Sequence, residues 1–523
     1  MININTRIKL FSAGLLILLL ISCGKKQERY IDQAEIVAKV GDRVITADEF
    51  KYNFEFGLST FRQGPDARKT YLNYMIKELL LASEGYRLGL NKSEYVQSRL
   101  ERRRYNTLLE SYIQTHVRDK VDIPDQEVRD ALKKSTVTFK LLILPAPSQN
   151  EAEQIRAAAS ESSLSAYLDK KLQQAEMPLE DKRKYQTGWV DFLDLPPHVL
   201  EKVVDLDMGH TSEPFRFGEG YAVAEVLDIN RTSITQSELE HGSRKRDIQA
   251  RLYNIEADRI VRGLMDSVLT PMQVRVKGGV VQDLTNPLYE WFQAGLPDNQ
   301  SIFDVIEDTP DSARDYVEPI KALMDETLVT MNKGEKTVRD YLEHMDYYRK
   351  ALGQSASFDD FSTRLTTEIG RWIKNDTFVN LADQEGLADD PGIQRDLERW
   401  EQKWTYDMYR HESVKELSVT EEEMKEYFKH RWRELDIANV DTTRFYKYKN
   451  AVHNALLHEK QTALLEEEIN ELKNRYPVWI DHDLLYEIDL VDSLKSSQTS
   501  YFLRDKFSGQ AVIPIVDMKW MGF

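Results

Sequence analysis

The chain of 523 residues contains a single cysteine, Cys23, close to its N-terminus. With no second cysteine an intramolecular disulfide cannot form, so an apolar core must stabilise the fold. Basic residues are outnumbered by acidic ones, giving a formal net charge of −18. This balance argues against a nucleic-acid partner, because phosphate binding needs a cationic surface. The sequence has no Walker motif, dinucleotide-binding fingerprint or Ser or Cys nucleophile signature, so we predict no cofactor.

Long hydrophobic runs are also scarce, and the clearest one covers residues 10–21. Arg7 and Lys9 precede it, and it is shorter than the ~20 apolar residues that a membrane-spanning helix needs. Both features are typical of a secretory signal. The run ends in Leu-Ile-Ser-Cys-Gly, which resembles a bacterial lipobox, where the cysteine is acylated and becomes the new N-terminus. The alternative is an ordinary signal peptide followed by an incidental Cys23.

The lipobox interpretation has consequences for the mature protein. Removal of residues 1–22 takes away Arg7 and Lys9, which makes the chain still more acidic. Acylation of Cys23 would attach the protein to a membrane without spanning it. We therefore predict a lipid-anchored protein of the cell envelope, in the periplasm and at the outer membrane.

Two segments repeat the same order of predicted elements. Residues 36–50 (IVAKVGDRVITADEF) predict a β-hairpin, followed by a capping box of Thr46 and Glu49 that starts a helix. Residues 328–341 (LVTMNKGEKTVRDY) repeat this order, with Thr337 three residues before Asp340. Downstream, predicted helices 71–90, 95–119 and 236–267 correspond to 361–387, 393–416 and 443–476, and the helix starts at Pro124 and Thr420 also correspond. Short strands, 273–276 and 478–480, follow the last helix of each copy. We infer an internal duplication.

These patterns predict an α+β fold that is predominantly helical. The predicted segments, in order, are a signal peptide (1–22), a tether (23–34), a first helical module (35–135), an inserted domain (136–231), a returning helix and strand completing the first copy (232–285), a connector (286–326), a second module (327–430), the returning helix and strand of that second copy (431–485) and a C-terminal tail (486–523). Residues 514–523 of the tail are apolar enough to dock on the rest of the protein.

The opening segment resembles the start of the helical module in SurA/PrsA/PpiD-like periplasmic chaperones. The insert resembles the parvulin-type peptidyl-prolyl isomerase domain of that family, a small antiparallel sheet with helices. The matching stretches are residues 138–145 (TFKLLILP, first strand), 152–161 (first helix), 188–190 (Gly-Trp-Val), 208–214 (MGHTSEP) and 217–223 (last strand). The resemblance covers residues 35–285 and extends through the second copy to about residue 480.

The insert departs from the parvulin pattern where catalysis is concerned. The resemblance implies one histidine on the first strand and one on the last. Leu141, or Lys140 if the alignment slips by one, stands at the first position, and Ala222 stands at the second. Leu195 and either Val199 or Leu200 occupy the positions of the proline-binding wall. An apolar pocket can still lower the ~18–20 kcal/mol barrier to peptide-bond rotation by desolvating the bond, but these losses predict a weak or inactive isomerase.

Histidines elsewhere in the sequence do not predict a metal site. His453 and His458 are five residues apart on a predicted helix, whereas ligands on one helical face lie three or four apart. Residues 481–483 (Asp-His-Asp) are better explained as a solvated turn after a strand. Aromatic and methionine clusters are predicted to be mainly core, and some could line an apolar groove for unfolded proteins.

The resemblance favours a lipid-anchored chaperone or foldase that assists secreted or outer-membrane proteins. Its expected partners are unfolded or nascent envelope proteins and, through the anchor, a membrane. Two alternatives remain open at the level of sequence. One is an active peptidyl-prolyl cis-trans isomerase, and the other is a scaffold in an envelope complex that binds no clients.

Overall fold

The computed structural model of the protein describes residues 35–218, 220–232, 238–294, 306, 314–345, 352–435, 444–490 and 513–520. The predicted signal peptide, Cys23 and the tether lie outside the described residues, as do parts of the connector and of the tail. Within the described residues the fold is α+β and mainly helical, with small antiparallel sheets, which confirms the predicted fold class.

The elements are numbered here in chain order. The first segment contains β1 (Ile36–Val40), β2 (Arg43–Thr46), α1 (Ala47–Phe56), α2 (Ala67–Arg87), α3 (Glu94–His116) and α4 (Asp125–Lys134). The insert contains β3 (Val137–Ala146), α5 (Gln149–Ala159), α6 (Leu164–Gln174), β4 (Gln186–Val190), α7 (Pro197–Val203), β5 (Phe215–Phe217) and β6 (Gly220–Arg231).

The elements after the insert lead from the first copy into the second. They are α8 (Glu238–Met272), β7 (Arg275–Val276), α9 (Gly278–Gln293), α10 (Arg314–Leu323), β8 (Thr327–Thr330), β9 (Glu335–Thr337), α11 (Val338–Met345), α12 (Phe358–Gln384), α13 (Pro391–Val414), α14 (Glu421–Arg431), α15 (Phe445–Arg475), β10 (Val478–Ile480) and α16 (His482–Glu487). The predicted hairpins and long helices are confirmed, with ends that shift by a few residues.

The chain divides into two compact units. The first comprises the described residues of Met1–Ser111, Gln282–Asp325 and Val338–Phe523, and the second those of Tyr112–Val281 and Glu326–Thr337. The core of the first unit includes Val37 of β1, Phe50 of α1, Leu80 of α2 and Ile469 of α15, all fully buried. The second unit contains the insert, whose sheet has an apolar core on each face.

Strand pairing crosses between the two copies. The sequence pattern assigns the returning helix and strand of residues 232–285 to the first copy and those of residues 431–485 to the second. In the structure, β10 pairs with β1, with Ala38 opposite Ile480, and β7 pairs with β8, with Val276 opposite Val329. Each hairpin is therefore completed by the strand that follows the returning helix of the other copy. Strands this short pair mainly through backbone hydrogen bonds, which carry little sequence information, so the sequence does not identify the pairing partner.

Local geometry at the ends of two corresponding helices is nearly the same. Gly89 follows α2 with φ +76°, and Gly386 follows α12 with φ +76°, a left-handed conformation that favours glycine. Each glycine accepts a backbone hydrogen bond of 3.0 Å from the residue three positions later and leads into a single 3-10 turn. Such matches are what an internal duplication would leave.

Candidate functional site

The insert forms a four-stranded antiparallel sheet in the order β4-β3-β6-β5. Successive residues of a strand point to opposite faces, and here both faces are covered. Leu141 faces a core that includes Val199 and Val203 of α7, whereas Leu142 faces a core formed with α5 and α6. This double burial explains the nearly continuous apolar sequence of β3.

The positions predicted from the parvulin pattern lie in one apolar cluster. Leu141 and Ala222 have no exposed surface, and Leu195 and Val199 are also buried in the same cluster. Leu200 is partly buried against it. Lys140 lies between Trp189 and Asp228 of the neighbouring strands and outside this cluster. The structure therefore brings Leu141, Ala222, Leu195 and Val199 into a single core.

The two histidine-equivalent positions are not side by side. Leu141 lies opposite Val226, and Ala222 lies opposite Pro145, four residue pairs further along the sheet. At ~3.3 Å per residue this offsets their Cα atoms by roughly 13 Å along the strands, on the same face of the sheet. Because both side chains are apolar and sealed from solvent, neither can donate or accept a proton or contact a substrate as the structure stands.

Charged groups in this second unit have structural partners. Arg251 of α8 donates two hydrogen bonds of 2.6 Å to the carboxylate of Asp191, which follows β4, and a third to Asp194. Burial raises the pKa of Asp191, but the hydrogen bonds from Arg251 and from the backbone of Leu193 outweigh it and hold the pKa below its usual value. Glu225, buried on β6, accepts a 2.7 Å bond from the backbone N–H of Ser165 in the first turn of α6.

The first unit contains a large cleft of about 1710 Å³. Its walls come from the β1–β2 hairpin, α1, α2, α13, the turn between α15 and β10, and residues 513–516 of the tail. Tyr52 of α1 lines the cleft and is 49% exposed. The cleft therefore combines parts of both copies with the C-terminal segment.

A largely buried ion pair lies in the wall of the cleft. Lys403 of α13 donates a 2.6 Å hydrogen bond to Oε2 of Glu78 on α2, and the two side chains are 14% and 12% exposed. Burial raises the pKa of Glu78, and the ammonium of Lys403 opposes that rise. The other carboxylate oxygen of Glu78 accepts bonds from the tail: 2.6 Å from the backbone N–H of Asp517 and 3.2 Å from the indole N–H of Trp520.

A second carboxylate near the cleft is strongly paired. Glu84 of α2 accepts hydrogen bonds from Arg87, Arg475 and the hydroxyl of Tyr476, at 2.6, 2.5 and 2.9 Å. The bond from Arg87 is the largest cause that lowers the pKa of Glu84 to about 2, against a smaller rise from burial. This cluster ties α2 to the end of α15, next to the strand that completes the first hairpin.

The tail follows the cleft wall through contacts to its backbone. Asn53 of α1 donates from Nδ2 to the carbonyl of Pro514 and accepts at Oδ1 from the N–H of Val516, both at 3.0 Å. The hydroxyl of Tyr71 donates to the same Oδ1 at 3.1 Å and so orients the amide. The docking that we predicted for residues 514–523 is therefore confirmed for residues 514–520, the described part.

The cleft residues were not predicted from the sequence, although Glu78 carried a signal. In α2, Tyr71, Met75 and Glu78 are spaced by four and three residues and share one helical face. A carboxylate on an otherwise apolar face predicts a buried partner. The partner itself, Lys403, is more than three hundred residues away in the sequence and could not be identified by spacing.

Residues considered as metal ligands have other roles. Asp481 caps the N-terminus of α16, with its carboxylate accepting from the backbone N–H of Leu484 at 3.0 Å. The prediction of a turn after β10 is therefore replaced by a short helix. Among the described residues no group of three or more His, Cys, Asp or Glu side chains is arranged to hold a metal ion. In that same part of the chain, no helix has the length and apolar content needed to cross a membrane.

Comparison with known proteins gives structural matches only. No protein-family model and no curated protein matches the chain. The peptidyl-prolyl isomerase PrsA of Bacillus anthracis is 14% identical, with 38% of this chain and 96% of that one covered at a TM-score of 0.23. A chain from a structural study of two SurA-like chaperones of Campylobacter jejuni is 17% identical, with 46% and 100% covered at 0.23. PrsA of Bacillus cereus is 12% identical, with 44% and 92% covered at 0.21. TM-scores this low carry no argument about the activity of this chain.

Proposed function

We propose that the protein is an envelope chaperone that binds unfolded secreted or outer-membrane proteins in the cleft of the first unit. The observation that carries this proposal is the size and make-up of the cleft. Pockets for small ligands measure ~300–1,000 Å³, whereas this cleft reaches about 1710 Å³. Its lining includes an exposed aromatic side chain, Tyr52, and apolar tail residues, which suits a polypeptide segment better than a metabolite.

The charges of the lining support the same conclusion. Arg399 pairs with Glu49 at 2.6 Å, and Lys403 pairs with Glu78. Arg43 lies over the ring of Tyr86, at 3.7 Å from its centroid. Because these cations are already engaged, the cleft has little to attract a free anionic metabolite and retains surface for mixed polar and apolar contacts.

The test is suppression of aggregation of a chemically unfolded protein by the full chain. Tyr52→Ala removes the exposed ring in the cleft, and we expect roughly a 3–10-fold loss of affinity for the unfolded protein, as for an aromatic anchor. Tyr486→Ala is the matched control, because Tyr486 is 51% exposed on α16 and does not line the cleft. Equal behaviour of the two variants, or no suppression by the wild type, would contradict the proposal. The second result would favour a scaffold.

We also propose that residues 136–231 form a parvulin-like domain whose isomerase site is weak or inactive. The burial of Leu141 and Ala222 in an apolar core supports this, since neither position can contact a peptide. The full chain should accelerate cis-trans isomerisation of an X-Pro peptide no faster than background, measured beside an active parvulin. A clear rate would identify an isomerase that works without histidines at these positions.

The envelope location rests on the lipobox-like sequence at Cys23, which we propose as the site of lipidation. The mature wild-type protein should lack residues 1–22 and carry the added mass of acyl chains, whereas Cys23→Ala should carry no acyl mass and retain residues 1–22. The membranes would be separated by density to distinguish inner from outer. A processed wild-type protein without acyl mass on Cys23 would contradict lipid anchoring.

A further inference from the structure

The C-terminal segment 513–520 contacts the rest of the first unit through both its backbone and its buried side chains. Three side chains receive it: Asn53, Glu78 and Arg410. They bond to the carbonyl of Pro514, the N–H of Val516, the N–H of Asp517 and the carbonyl of Lys519, at distances of 2.6–3.2 Å. Contacts to backbone atoms do not depend on the sequence of the bound segment. These contacts therefore do not by themselves select the sequence of the bound segment.

Two side chains of the segment supply the sequence preference. Val516 and Trp520 are 2% and 7% exposed, whereas Met518 between them is 63% exposed. The indole of Trp520 stacks on Tyr406 and lies near Tyr74, with ring centroids 6.4 and 6.3 Å away. Buried aromatic and aliphatic anchors separated by exposed residues are typical of peptide recognition in a groove.

The acidic residue between the anchors has a hydrogen-bond donor in the site, and the aromatic anchor has cations over its ring. Arg410 lies over the Trp520 ring at 5.0 Å and Lys77 at 5.4 Å. The carboxylate of Asp517 accepts from the hydroxyl of Tyr406 at 3.4 Å. A segment with an aliphatic residue, then an acidic residue, and an aromatic residue four positions after the aliphatic one therefore matches the site.

We propose that this surface, which we call the tail groove, is a binding site for client segments with the pattern aliphatic–acidic–x–x–aromatic, and that residues 513–520, which end in a 3-10 turn at Met518–Trp520, occupy it as an internal competitor. This inference rests on the proposed chaperone function and names its substrate class. Residues 513–516 also line the large cleft, so a client segment in the tail groove would continue directly into it. A tethered competitor acts at an effective concentration of ~mM, so external peptides must compete with it.

The experiment uses the full chain and a fluorescein-labelled peptide with the sequence of residues 513–520, IPIVDMKW. The double variant Val516→Asp/Trp520→Ala should release the internal segment and bind the peptide at least ~10-fold more tightly than the wild type, which corresponds to ~1.4 kcal/mol. Met518→Ala is the matched control and should bind like the wild type. Adding Asn53→Ala to the double variant should weaken peptide binding at least ~10-fold, because the backbone contacts are lost.

Trp520→Phe is a milder variant that still tests the inference if the double variant does not fold. It retains an aromatic ring and removes only the indole N–H that bonds to Glu78, so its binding of the peptide should improve by ~3–10-fold. A folded double variant that binds the peptide no better than the wild type would overturn the inference. Failure of an unfolded client protein to displace the bound peptide would also overturn it.

Aggregation suppression measured on the same preparations separates the two proposals. Suppression by the wild type without any peptide binding to the double variant would leave the chaperone function standing and reject the tail groove. Peptide binding that client protein displaces, with stronger suppression by the double variant, would support both. Peptide binding with no suppression by either protein would contradict the chaperone function and still support a peptide site.

Discussion

The apolar core around Leu141 in the insert and the cleft of the first unit differ in the polar groups that they contain. In the core, the positions where a catalytic pair is expected carry Leu141 and Ala222, which are apolar and fully buried. In the cleft, Glu78 and Lys403 form an ion pair in a largely buried wall, and Glu78 also accepts hydrogen bonds from the tail. Retaining a buried charge pair is costly unless its groups are well bonded. This difference agrees with the proposal that clients bind in the cleft and that the core of the insert is structural.

The largest effect is expected from removing one member of the buried ion pair between Glu78 and Lys403. Glu78→Ala would leave the ammonium of Lys403 without its carboxylate, and we expect a loss of about 3–5 kcal/mol in the free energy of unfolding of the first unit. The measurement is urea denaturation followed by tryptophan fluorescence. The control is Glu466→Ala, whose pair with Lys77 is more exposed and should cost no more than about 1 kcal/mol. Similar losses for both variants would show that Glu78 has no special role.

A cavity in the core around Leu141 tests whether this core contributes to stability without taking part in client binding. Leu141→Ala should destabilise the second unit by about 2–5 kcal/mol, because it removes fully buried methyl groups. At temperatures where the variant stays folded, its suppression of aggregation should equal that of the wild type, unlike Tyr52→Ala. Urea denaturation and the aggregation assay on one preparation give both values. A folded Leu141→Ala protein that no longer binds client would mean that the core takes part in binding.

Acid should affect the first unit through Glu84. Its pKa in the folded protein is about 2, below its ordinary value of 4.5, so the carboxylate stabilises the fold above about pH 4.5. That contribution is lost as the pH falls from 4.5 towards 2, because the unfolded chain takes up the proton first. Allowing for solvent screening, we expect Glu84→Gln to cost about 1–2 kcal/mol at pH 7 and almost nothing near pH 2. A difference in the free energy of unfolding between the wild type and Glu84→Gln that stays constant across this pH range would show that the ion pairing of Glu84 does not cause the acid sensitivity.

Much of the fold follows from local sequence signals. Thr46 and Glu49 were predicted to form a capping box, and each bonds to the backbone N–H of the other, at 3.2 and 3.1 Å. The hairpins and the long amphipathic helices were predicted for similar reasons, since their periodicity reflects one buried face. Leu141, Leu195, Val199 and Ala222 were placed in one domain by the resemblance to the parvulin pattern and not by such local signals.

Long-range pairing could not be predicted from these signals. Strands β7 and β10 are two and three residues long, so their apolar pattern does not select one hairpin over the other. The tail groove depends on Asn53, Glu78 and Arg410, which lie far apart in the sequence. Asn53 and Arg410 carry no signal in their own helices, and Glu78 signals only a buried partner. Only the tertiary structure reveals that the three residues receive the same segment.

Because β10 lies at the end of the second copy, the first hairpin can gain its third strand only late in synthesis of the chain. Ala38 pairs with Ile480, so one edge of β1 lacks its partner until almost the whole chain has been synthesised. Pairing over such a separation slows folding, since a long loop must close first, and an unpaired strand edge is open to other chains meanwhile. Loss of β10 would therefore leave this edge of β1 exposed for pairing with other chains.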